Sequence, residues 1–87
     1  MSIEAQIRAR LAQLQPASVA ITDDSAAHAG HAGAASGGGH YTVAIIAEAF
    51  TGKSRVARHR LVYDALGDLM QQQIHALALT THAPHEV

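Results

Sequence analysis

The sequence predicts a small α+β protein: a three-stranded mixed sheet with helices packed on one face, in the order helix, strand, strand, helix, strand. Three observations predict it. A chain of 87 residues supports one core, because a chain this short buries only about 60–65% of its unfolded surface. Hydrophobic residues make up 48% and charged residues 15%, a globular balance rather than a disordered one. Apolar residues recur with helical spacing near the N-terminus and over 53–73, and with strand-like composition at 18–23, 40–48 and 74–81. The expected organisation is a single domain over 1–87 with a glycine- and histidine-rich loop at about 24–39. Phe50, Tyr41 and Tyr63 are the only aromatic residues, so aliphatic packing must hold the core.

Ile3, Ile7, Leu11 and Leu14 form one apolar stripe, with Ser2 placed to cap the helix, Glu4 in its first turn and Pro16 closing it. Val19 and Ile21 alternate with smaller or polar neighbours in SVAITD, and HYTVAIIAE is rich in β-branched residues; the two read as antiparallel strands. Thr51 and Gly52 end the second strand. The stretch KSRVARHRLVYDALGDLMQQQ then puts Val56, Val62, Tyr63, Leu66, Leu69 and Met70 on one arc of a single helix, with Lys53, Arg60, Asp64 and Asp68 opposite. IHALALTT reads as the third strand, with His75, Leu77 and Leu79 sharing a face.

Histidine is concentrated where structure is least expected. The connection between the first two strands holds five of the seven glycines together with His28 and His31, and His40 opens the second strand. A connection of this length far exceeds the usual hairpin loop of about 2–5 residues, which marks it as functional or disordered. Neutral imidazole is a common ligand for zinc, copper or iron. Ordering a glycine-rich loop costs roughly 1–2 kcal/mol per residue, so loop histidines alone bind weakly. If the loop folds back toward the start of the third strand, His31 or His28 meets His75 as half of a metal site. A second protein must then supply the remaining ligands, because this chain has no cysteine. His59 falls near the centre of the helical arc and reads as a packed residue outside the site.

Lys53, Arg55, Arg58 and Arg60 are four of the six basic residues, gathered at the entrance of the second helix. They suit phosphates, an acidic partner or the carboxylates of glutathione. A net charge of −1 excludes a protein that is basic throughout. Ser18, Ser25, Ser36 and Ser54 have no nucleophile-elbow context and no paired carboxylate, so no enzyme is expected. The first fifteen residues match neither a signal peptide nor a membrane span, so a cytoplasmic location and no membrane partner are expected.

DDS at 23–25, the histidine loop, HYTVAII at 40–46, FTGKSRVARHRLVYDAL at 50–66, IHALAL at 74–79 and the closing AP at 83–84 together resemble the BolA family, in order over nearly the whole chain. The resemblance implies a fold like the type II KH domain. It also implies a function in iron–sulfur trafficking or iron signalling, in which a monothiol glutaredoxin is the partner and a [2Fe-2S] cluster is shared with it and with glutathione. In that arrangement His75 matches the strand ligand. For the loop ligand, His31 has the separation from His40 that the family pattern implies, whereas His28 matches when counted from Asp23. The chain thereby resembles the histidine-loop branch. No cofactor is expected to bind tightly to the chain alone, which is expected to be a monomer or weak homodimer. The alternative is a transcriptional regulator that contacts DNA through residues 53–60. Gly37, Gly38 and Gly39 depart from the acidic and hydroxyl residues many relatives carry there.

Overall fold

The computed structural model describes residues 2–24 and 39–87, so most of the loop that holds His28 and His31 lies outside the described residues. Helix α1 spans Ile3–Leu11 and tightens into a 3-10 turn at Ala12–Leu14. Ser2 caps it as expected: its hydroxyl accepts from the Ala5 N–H at 3.1 Å. Ile7 and Leu11 are fully buried, contributing about 1.5–3 kcal/mol each.

Strand β1 spans Ser18–Asp23 and pairs antiparallel with β2, Gly39–Ile46. Strand β2 is central and pairs parallel with β3, Ile74–His82, giving the order β1-β2-β3. Tyr41, Val43 and Ile45 alternate along β2 and face the core, while Ala44 on the other face is exposed. The chain leaves β2 through a 3-10 turn at Glu48–Phe50, and the Phe50 ring is the largest side chain sealed in the core.

The single helix expected over 53–73 divides in two: α2, Arg55–Leu66, and the one-turn α3, Leu69–Gln72. Gly67 makes the break with φ 55° and ψ −128°, a conformation that suits glycine. Arg10 of α1 seals it, donating from Nη1 to the Leu66 carbonyl at 3.0 Å and pairing with Asp68 at 3.0 Å. The buried arc of α2 is also rotated from the expected one. Val62, Ala65 and Leu66 are buried, whereas Val56 is 66% and Tyr63 40% exposed. The reason is that Ala65 and the stem of Arg58 take the core-facing side that the apolar count assigned to Val56 and Tyr63. No helix among the described residues is long and apolar enough to cross a membrane.

Candidate functional site

The β2–β3 ladder carries one irregularity, at its beginning. Gly39 pairs with Ile74 and His40 with Ala76, so His75 is an extra residue in β3. Strict alternation would turn His75 toward the core with Leu77 and Leu79, which is the facing the sequence pattern predicts. The extra residue changes the parity: Ile74 enters the core, and His75 is exposed.

Parallel pairing then sets the starts of β2 and β3 side by side, and the rings of His40 and His75 lie 5.1 Å apart between centroids, tilted by 48°. The pattern of residues marks His40 only as the opening of a strand. Its place at the site follows from which strand β3 pairs with, and a run of hydrophobic residues does not encode that. His31 and His28, the expected loop ligands, lie outside the described residues.

The entrance around these rings is held from both sides. The Asp24 N–H donates to the His40 carbonyl at 2.7 Å, and the Thr42 hydroxyl donates to Asp24 Oδ2 at 2.5 Å. Gly39 admits the Tyr41 ring, which a Cβ at that position would overlap. Burial raises the Tyr41 hydroxyl above the ordinary phenol range, and the charges of Asp23 and Glu4 add to the effect. Among the described residues no cluster of three or more His, Asp or Glu can hold a metal ion. The two imidazoles are nitrogen donors set side by side, and a metal ion held there would need further donors.

The basic stretch divides by role. Arg58 is committed to the fold: Nε donates to the Lys53 carbonyl at 2.9 Å, Nη1 to the Thr81 carbonyl at 3.3 Å, and Nη1 and Nη2 to the Glu86 carboxylate at 2.6 and 2.7 Å. The two bonds from Arg58 to the carboxylate, with one from the Ala83 N–H at 2.9 Å, hold the Glu86 carboxyl down to about 2. Lys53, Arg55 and Arg60 are exposed and make no side-chain ion pair among the described residues, Asp64 included. His59 is not at the centre of the packed arc. It is half-buried on its rim, roughly 60° around α2 from Val62, and lines a cleft between α2 and β3.

Comparison with known proteins agrees with this architecture. The family model described as BolA-like protein matches residues 11–86. The chain is 40% identical to the SufE-like protein 1 of Arabidopsis thaliana, chloroplastic/mitochondrial by its name, over 86% of this chain and 22% of that protein. It is 34% identical to the DNA-binding transcriptional regulator BolA of Escherichia coli, over 99% of this chain and 80% of the relative. The solved BolA domain of SufE1 from Arabidopsis thaliana superposes with a TM-score of 0.85 at 39% identity, covering 100% of this chain and 98% of that one. The chain spans from 22% to 58% of the length of several curated relatives it matches. With a family match over most of its length, and a fold shared at this level of identity, the chain belongs to the BolA family.

Proposed function

We propose that this chain is a non-enzymatic adaptor that shares a [2Fe-2S] cluster, as cargo, with a monothiol glutaredoxin. The observation that carries the reading is the exposed His75 ring, turned out of the sheet by its extra register position and lying beside His40. In this reading His75 gives one ligand from a rigid strand, and His31 or His28 gives the second. The thiolates come from the glutaredoxin and glutathione, since this chain has no cysteine. Replacing thiolate by imidazole raises the potential of such a cluster, which suits a carrier that must also release it.

The test is a titration of cluster-loaded monothiol glutaredoxin with the chain, followed by visible absorption and circular dichroism. The wild-type chain changes the spectrum, and His75→Ala abolishes the change. His31→Ala, His28→Ala and His40→Ala, made singly, then identify the second ligand. A wild-type spectrum from His75→Ala rules out His75 as a ligand.

A second reading, DNA contact in transcriptional regulation, is favoured by the name of the Escherichia coli relative and by the charges of Lys53, Arg55 and Arg60, which make no ion pair among the described residues. Binding to duplex DNA must then weaken with salt, with a log–log slope of about −0.9 per phosphate contacted. Lys53→Ala and Arg55→Ala each reduce that slope. Binding that does not respond to salt removes this reading.

A further inference from the structure

Between the first turn of α2 and the outer edge of β3 lies a cleft of about 550 Å³. Lys53, Arg55 and His59 line it on the helix side, and Leu79, Thr80 and His82 on the strand side. Its floor is the edge of the sheet, because among the described residues β3 pairs only with β2.

The His82 carbonyl accepts from the Ala47 N–H at 3.0 Å, on the β2 side. The alternation of a parallel ladder therefore turns the N–H and C=O groups of Thr81, Leu79 and Leu77 toward the cleft. Arg58 agrees with that direction and closes one end, since it reaches the Thr81 carbonyl from the cleft side. The outward groups of Leu79 take part in no hydrogen bond among the described residues. An open strand edge is a template for one more strand.

Charge selects what kind of strand. Among the described residues the one carboxylate lining the cleft, Glu86, is bound through both oxygens by Arg58, so that pair is neutral as a unit. Lys53 and Arg55 make no ion pair among the described residues. The geometry points to an extended acidic segment of a partner protein as the occupant, lying alongside β3 with its backbone paired to Leu79 and its carboxylates on Lys53 and Arg55. Single-stranded nucleic acid fits the cleft less well. Among the described residues no Phe, Tyr or Trp lines it to stack a base, and Lys53 and Arg55 provide few phosphate contacts.

The experiment uses the full chain, labelled with ¹⁵N, and a blocked synthetic octapeptide alternating glutamate and valine. The octapeptide with glutamine for glutamate and a short oligothymidylate serve as competitors. Bound acidic peptide slows amide hydrogen exchange at Leu79 by about tenfold or more. The double variant Lys53→Glu, Arg55→Glu weakens that peptide by about tenfold or more, while His75→Ala binds it as wild type does, which separates this surface from the histidine site. Four results each overturn the inference: no binding at millimolar peptide, unchanged exchange at Leu79 when the peptide is saturating, equal binding of the glutamine peptide, or tighter binding of the oligonucleotide.

Discussion

A side chain at position 39 would overlap the Tyr41 ring, and that ring is buried and cannot swing aside freely. Gly39→Ala is therefore expected to destabilise the chain by about 1–3 kcal/mol, as overpacking does. The measurement is the midpoint of urea unfolding, with the His40 ring resonances as a local report. His75→Ala is expected to behave in the opposite way. The ring is exposed and supports no core contact, so stability stays within about 0.5 kcal/mol of wild type by the same measurement. That contrast makes a loss of cluster transfer in His75→Ala a chemical result rather than a folding one. The identity of His75 as a candidate was legible in IHALAL, but its facing was not. A one-residue irregularity in register reverses which side each residue occupies, and alternation of residue types carries no mark of it.

The helical elements show what periodicity resolves and what it leaves open. β1 runs from Ser18 to Asp23, the span its alternation predicts, because small and polar residues bound it sharply. The stretch 53–73 reads as one helix because GD is a mild interruption in an otherwise continuous pattern, yet Gly67 takes a positive φ and starts a new turn. Gly67→Ala forces a Cβ into that conformation, 3.2 Å from Arg10 Nη1. A loss of about 1–3 kcal/mol in thermal or urea unfolding is expected. Arg10→Met should cost about 1 kcal/mol, chiefly from the hydrogen bond to Leu66, since the ion pair with Asp68 is exposed and screened. The rotation of the α2 face was hidden for a related reason. Counting apolar residues treats Val56 and Tyr63 as inward and gives Arg58 no place in the packed face, whereas Arg58 buries its stem to reach β3 and Glu86.

Across the whole molecule, the bridge from Arg58 to Glu86 fastens the C-terminal turn at Pro84–Glu86 against α2 and β3. The Glu86 carboxyl is held at about 2 in the folded chain against an ordinary value of 4.5. A carboxyl lowered by folding adds stability above its unfolded value and loses it as the pH falls toward its folded value. The advantage of wild type over Glu86→Gln is therefore expected to be full above about pH 5 and to shrink between about pH 4.5 and pH 2. Thermal unfolding of both proteins at stepped pH measures it; a constant difference across that window refutes the assignment. The fold class, the strand order in sequence and the antiparallel first pair were all legible from composition and spacing. The His40–His75 pair was not, because it depends on β3 choosing the central strand as its neighbour, and the cleft was not, because it depends on the edge left open by that choice.

That choice of neighbour has a consequence for the life of the protein. Residues 40 and 75 stand far apart along the polypeptide and become adjacent only after α2 and α3 have carried the chain across and the last strand has docked. A nascent chain whose last strand has left the ribosome but has not yet docked on β2 owns both histidines but not the pair. The juxtaposition of the two rings is thus a property of the docked sheet, and half-assembled copies lack it by geometry.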